Sequence, residues 1–97
     1  MINNLQITKT IIEDVVEKNN LNIREFNYFL FDIYKENTFL CSVKLEEDKQ
    51  ERVFVISFYD EDDNIEDSLM FSTETPYYLT LKQELSNFRY FKQKGDS

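Results

Sequence analysis

Thr38-Phe39-Leu40-Cys41-Ser42-Val43-Lys44-Leu45 places Phe39, Cys41, Val43 and Leu45 in alternation with Leu40, Ser42 and Lys44. That two-residue period is the mark of a strand that buries mainly one face. A polar turn, Glu46 to Glu51, leads into Arg52 to Tyr59, where Val53, Val55, Ser57 and Tyr59 alternate with Phe54, Ile56 and Phe58. Both faces there are largely apolar, which suits a central or doubly covered strand. On the upstream side, Lys35-Glu36-Asn37 forms a short turn, preceded by the aromatic segment Phe26 to Tyr34. Phe26, Phe29, Leu30, Ile33 and Tyr34 match a helical face. Read as a strand, the segment puts Phe29, Phe31 and Ile33 on one side and Phe26, Tyr28, Leu30 and Tyr34 on the other. Aromatic side chains favour a pleated surface, so a strand is expected. Ser68 to Ser72 adds a short edge strand through Leu69 and Phe71.

Helical periods flank this region. Leu5, Thr8, Ile12, Val15 and Val16 share one face of a 3.6-residue repeat, with Ile11 at its edge and Glu13, Asp14, Glu17 and Lys18 opposite. The spacing predicts a helix over 4–18, ended by Asn19-Asn20, since Asn tolerates the left-handed conformation of a helix stop. At the other end Tyr78, Leu81, Leu85 and Phe88 form an apolar stripe that continues toward Phe91. Thr75-Pro76 reads as N-cap and first helical residue; alternatively Tyr77 to Leu81 is strand and a helix begins at Thr80. Lys92 and Lys94 suit a helix C-terminus, and Gly95 a stop. The expectation is an α+β fold: an N-terminal helix, a three- or four-stranded antiparallel meander, and a C-terminal helix packed on one sheet face. No repeat, low-complexity tract or Gly/Ser/Pro linker interrupts the chain, so residues 1–97 are read as a single acidic domain.

Composition narrows the chemistry. The 97 residues include six Tyr, nine Phe, one Gly and one Pro, a balance unlike that of disordered or collagenous chains. No apolar run approaches the ~20 residues of a membrane span, and no signal pattern opens the chain, which is read as soluble and cytoplasmic. There is no His and only one Cys. Triad hydrolases, zinc hydrolases and disulfide frameworks are thereby excluded. Cys41, flanked by Leu40 and Ser42 in a strand, has no activating cation and reads as a buried structural thiol. With 11 basic and 19 acidic residues the net charge is −8. Such a surface disfavours DNA, RNA and anionic membranes and favours a basic protein partner.

The densest charge is Asp60-Glu61-Asp62-Asp63-Asn64-Ile65-Glu66-Asp67, with six carboxylates in eight residues. Including Glu74, residues 60–74 carry seven acids and no base. Fully extended, eight residues reach ~26 Å, so the charges would lie roughly 4–5 Å apart. One DNA strand carries a charge about every 3.4 Å. The densities are comparable, and the segment could occupy a groove built for nucleic acid; a solvated loop is the plainer reading. Asp60, Asp62 and Asn64 fit positions 1, 3 and 5 of a calcium-binding EF-hand loop, but Ile65 and Phe71 stand where its Gly and bidentate Glu are required. No metal and no cofactor are expected. Glu46, Glu47 and Asp48 make a second acidic turn, which a meander places at the opposite end of the sheet. Glu13, Asp14 and Glu17 read as an ordinary solvent face. Tyr77, Tyr78, Phe88, Tyr90 and Phe91 cannot all point inward from one helix, so some are expected at a surface beside the acids, as a protein-binding hot spot. The candidate partner-binding residues are Asp60, Glu61, Asp62, Asp63, Glu66, Asp67, Glu74, Tyr77 and Tyr78.

Leu79-Thr80-Leu81-Lys82-Gln83-Glu84-Leu85 resembles the ending of small acidic phage-encoded anti-CRISPR proteins, Ile/Leu-x-Leu-Lys-Ser-Glu-Leu, with Gln83 in place of the Ser and Ser86 to Ser97 continuing beyond it. What the resemblance implies is a class: an acidic decoy occupying the nucleic-acid site of a host defence effector, and it assigns no residue. The functional expectation is therefore a non-enzymatic, stoichiometric inhibitor of a basic nucleic-acid-binding protein such as a CRISPR effector or nuclease. The alternatives are an immunity protein or antitoxin against a basic nuclease toxin, and a non-catalytic adaptor subunit.

Overall fold

Asn3 starts the first helix. Its side-chain oxygen accepts hydrogen bonds from the backbone amides of Leu5 (3.0 Å) and Gln6 (3.3 Å), which have no partner inside the helix. In a computed structural model that describes residues 3–89 and 91, α1 then runs Asn4–Lys18, the range given by its periodicity. It stops where Asn20 adopts φ 59°. The Asn20 amide donates to Glu17 O (3.0 Å) and that of Leu21 to Val16 O (2.9 Å), the pair of bonds that closes a helix with a left-handed residue. Leu21 is buried directly after this stop.

Five strands follow: β1 (Asn22–Asn27), β2 (Leu30–Lys35), β3 (Thr38–Asp48), β4 (Val53–Tyr59) and β5 (Ile65–Ser72). They form one antiparallel sheet in sequential order. The expected single strand over Phe26–Tyr34 is in fact a hairpin. The Asn27 side chain accepts from the Phe29 amide (3.0 Å), an Asx turn that reverses the chain and sets Asn27 opposite Leu30. This split makes five strands of the expected three or four. The same device shapes two more turns. Asp48 Oδ1 accepts from the Gln50 and Glu51 amides (both 3.0 Å), and Asp60 Oδ1 from those of Asp62 (2.8 Å) and Asn64 (2.9 Å). Two boundaries differ from expectation: β3 continues through Asp48, and β5 begins at Ile65 rather than Ser68.

Both helices pack on one sheet face. Ile12, Val15 and Val16 of α1 meet Phe31, Ile33, Val43, Leu45, Phe54, Ile56 and Phe58 of the sheet in one buried cluster, to which α2 (Tyr78–Ser86) adds Leu81 and Leu85. Cys41 lies inside it, fully buried. Neither expected start of α2 holds, since it begins at Tyr78 without a side-chain cap. The buried Tyr77 ring decides this. It lies between Phe54 (centroids 5.8 Å apart) and Phe71 (5.2 Å), and its hydroxyl pairs with that of buried Thr8 at 2.9 Å. Burying an aromatic ring this well outweighs a local capping preference of about 1 kcal/mol. Phe88 and Phe91 are buried too, with Phe88 against Phe58 at 4.2 Å between centroids. Tyr77, Phe88 and Phe91 therefore all turn inward, the first just before α2 and the other two beyond its end. Tyr90, Lys92, Lys94 and Gly95 lie outside the described residues.

Among the described residues one charged side chain is buried. Lys9, 5% exposed on α1, pairs with Glu25 of β1 and with Glu13 (3.7 Å), and lies 5.6 Å from the Tyr28 ring centroid and 5.7 Å from that of Phe31. Its carboxylate partners are about half exposed, so Lys9 keeps its aliphatic stem in the core and its ammonium at the boundary. Among the described residues no helix is long and apolar enough to cross a membrane.

Candidate partner-binding surface

Register carries the outward residues of every strand onto the second face of the sheet. Arg24, Asp32, Ser42, Tyr59 and Ile65 form one row across the strands, and Asn27, Leu30, Lys44, Ser57 and Ser68 the next. Among the described residues no helix lies over this face. It holds an open concavity of about 620 Å³ walled by Phe26, Leu30, Phe39 and Tyr59, with Asp32, Ser42 and Lys44 on its floor. Asp60, Glu61 and Asp63 stand at its rim. On the floor the Ser42 hydroxyl donates to Asp32 Oδ1 (2.6 Å), while Lys44 reaches Glu46 at 3.8 Å. At one corner the Arg24 guanidinium sits 3.8 Å from the Tyr34 ring centroid, and the Tyr34 ring meets Phe39 edge-on. Toward the other end of the face, Val53, Val55 and Met70 lie beside Glu46, Glu47 and Asp48.

The acidic run does not lie extended. Residues 60–64 form a tight turn in which the Asp60 amide donates to Asn64 O (2.9 Å) and the Asp63 amide to Asp60 O (3.1 Å). Asp63 takes φ 64°, a conformation that Asp and Asn tolerate better than most residues. Asp60 itself is committed to the turn. The Asn64 amide, and after it that of Asp62, hold its carboxyl below its ordinary value. Because that value is lowered on folding, the contribution is present above the ordinary pKa of 3.8 and is lost as pH falls through the folded value. The remaining carboxylates of the tip, Glu61, Asp62 and Asp63, are exposed and have no ion pair or hydrogen bond among the described residues.

The other candidates go elsewhere. Glu66, its side chain 16% exposed, pairs with Arg89. Asp67 is exposed and accepts from the Ser68 amide (2.7 Å). Glu74 pairs with Arg52 at 2.6 Å beyond the far end of β5, an eight-residue strand that separates it from Asp60–Asp63 by roughly 25 Å. Tyr77, expected at a surface, is 5% exposed within the core. Burial pushes its hydroxyl up to about 12. Tyr78 is half-buried and donates to Asn4 Oδ1 (2.6 Å). The structure thus gathers Asp60, Glu61, Asp62 and Asp63 at one tip, with Asp67 nearby on β5, and separates Glu66, Glu74, Tyr77 and Tyr78 from them in role or in place. The even charge spacing expected of an extended segment is replaced by a clustered tip.

Sequence reasoning missed Phe26, Leu30, Phe39 and Tyr59 as a surface. The signal was present. β4 is apolar on both faces, and two helices of 15 and 9 residues are enough for one face of a five-stranded sheet. Cys41 lies on the covered face, where burial, helped by the charges of Glu66 and Asp32, pushes its thiol up to about 12. Among the described residues no three His, Cys, Asp or Glu side chains are grouped to hold a metal ion. Comparison with protein-family models, with curated proteins and with solved structures finds no match for this chain.

Proposed function

We propose that the chain is a non-catalytic, stoichiometric protein inhibitor of the anti-defence type, acting in the cytoplasm on a basic nucleic-acid-binding protein. The observation that carries this reading is the tip of the β4–β5 turn, where Glu61, Asp62 and Asp63 project without counter-ions among the described residues from a turn that Asp60 pins in shape. Preorganised anions lose little conformational freedom when they meet Lys or Arg, and they steer encounter with a positive surface. The clustered tip suits engagement of a compact group of cations, such as those that hold a few phosphates, better than the full length of a nucleic-acid groove.

Affinity capture with the full chain over a salt series from about 0.1 to about 0.5 M tests the proposal, because exposed charge pairs are screened over that range. The expected result is a basic partner, bound in simple stoichiometry and released by salt. Glu61→Lys with Asp62→Lys, and Asp63→Asn to respect its left-handed backbone, should abolish capture without unfolding the protein. A partner indifferent to ionic strength, or retained by the recharged variant, would overturn the reading.

A further inference from the structure

The exposed face of the sheet is more than the support of an acidic turn. Phe26 and Met70 are each 66% exposed on it, and Leu30, Tyr59 and Val55 are only half-buried. These groups form two apolar patches, Phe26, Leu30, Phe39 and Tyr59 on one side and Val53, Val55 and Met70 on the other, with Lys44, Ser57 and Ser68 between them; exposed apolar surface rimmed by polar groups marks an interaction site. Most of its acids stand at the ends, while Asp32 in the middle is engaged by the Ser42 hydroxyl and Arg24 lies at a corner against the Tyr34 ring. The Asp60–Asp63 turn stands at one end and Glu46 and Asp48, with Lys49 beside them, at the other, while Glu47 accepts from the Asn4 side chain of α1 (3.5 Å) and the one lysine in the middle, Lys44, is drawn toward Glu46 at 3.8 Å. The seven residues of β4 set the two ends roughly 20 Å apart.

We infer that this face receives a single apolar segment of a basic partner protein, carrying Lys or Arg at both of its ends and none in its middle. The inference rests on the function proposed above and names the docking surface for it. Charge complementarity selects the occupant. A second copy of a chain with net charge −8 would bring like-charged turns together, and nucleic acid or an anionic bilayer meets the same repulsion. An occupant matching the strip needs about six extended residues or about thirteen helical ones between its cationic ends.

The test uses the isotope-labelled full chain and two synthetic peptides of identical composition, one with Lys pairs at both ends of a Leu/Phe centre and one with the Lys residues moved to the centre. The end-charged peptide should shift the backbone amide signals of Leu30, Ser42, Tyr59 and Met70 and bind at least about tenfold more tightly than its isomer, a difference of about 1.4 kcal/mol. Tyr59→Ser and Val55→Ser should each weaken it by about tenfold, given the usual weight of a central anchor residue. Leu79→Ser, on α2 and 81% exposed at the native residue, should leave binding unchanged; amide spectra confirm that each variant is folded. Equal binding of the two peptides, or shifts on the helix side, would overturn the inference. Shifts confined to the 60–64 turn, with Tyr59→Ser silent, would overturn the docking face while leaving the acidic-tip reading intact. Failure of both peptides to bind, together with a captured partner insensitive to salt, would overturn both.

Discussion

Phe58 and Tyr59 are neighbours in β4, yet Phe58 is fully buried against Phe88 while Tyr59 lines an open concavity on the opposite side. The same contrast runs along β2, β3 and β4. The covered face is closed by two helices and by aromatic stacking around Tyr77; the open face mixes apolar groups such as Phe26, Leu30, Tyr59 and Val55 with polar ones, and among the described residues no helix lies over it. Position in the pleat decides which side chains hold the fold together and which remain available to another molecule. Stability and recognition are thereby assigned to alternate residues of one sheet.

The sharpest way to break that division is substitution on its two sides. Phe58→Ala should cost about 3–5 kcal/mol, the range for a fully buried aromatic, whereas Phe26→Ser should cost within about 0.5 kcal/mol, as for an exposed position. Urea unfolding of both variants checks this, and comparable losses would mean that the open face is part of the folding core. Against a total stability of about 5–10 kcal/mol for a chain of this size, the first change should leave a marginal protein.

Lys9 guards the border between α1 and the β1–β2 hairpin. Lys9→Ala should cost about 2 kcal/mol, because it removes a packed aliphatic stem together with the cation that Glu25 and Glu13 share; the half-exposure of those carboxylates keeps the loss below that of a fully buried pair. Chemical denaturation measures it, and hydrogen exchange in β1 should rise at the same time. An unchanged exchange rate there would show that the hairpin is held by its own turn alone.

Alkaline titration probes the covered face with a smaller effect. Cys41 and Tyr77 are both raised on folding, from 9.0 and 10.0 to about 12. The unfolded chain therefore loses these protons first, so the contribution of these two groups is level below about pH 8 and falls as pH climbs from 9.0 toward about 12. Each such group contributes a slope of at most about 1.4 kcal/mol per pH unit. Cys41→Ala should flatten the curve between pH 9.0 and 10.0, leaving the Tyr77 contribution above it. In the native protein the thiol should react with disulfide reagents only at the rate of opening. Rapid labelling at pH 8 would place Cys41 on the accessible side. The smallest effect belongs to Tyr77→Phe, about 1 kcal/mol, for the lost hydroxyl contact with buried Thr8.

Periodicity in the sequence was enough to place α1, because a 3.6-residue apolar stripe and a terminal Asn pair act within a few turns of chain. The alternations of β3 and β4 were legible for the same reason. Residues 26–34 were not. Their aromatic content favoured strand, but the reversal at Tyr28-Phe29 depends on a single side-chain bond from Asn27 that no hydrophobic pattern reveals. The candidate site was half legible. The acids could be counted, but their pairing with Arg52 and Arg89 across 22 and 23 residues is a product of folding.

By itself the sequence determined the elements whose causes are local: the extent of α1 and its stop at Asn19-Asn20, the alternation of β3 and β4, the absence of His and the excess of negative charge. Only the tertiary structure decided where α2 begins, that Tyr77 belongs to the core, that residues 60–64 close into a tip, and that no helix among the described residues covers the second sheet face. Those outcomes turn on contacts between residues distant in the chain, where burial of large rings and the reach of two helices outweigh local preference.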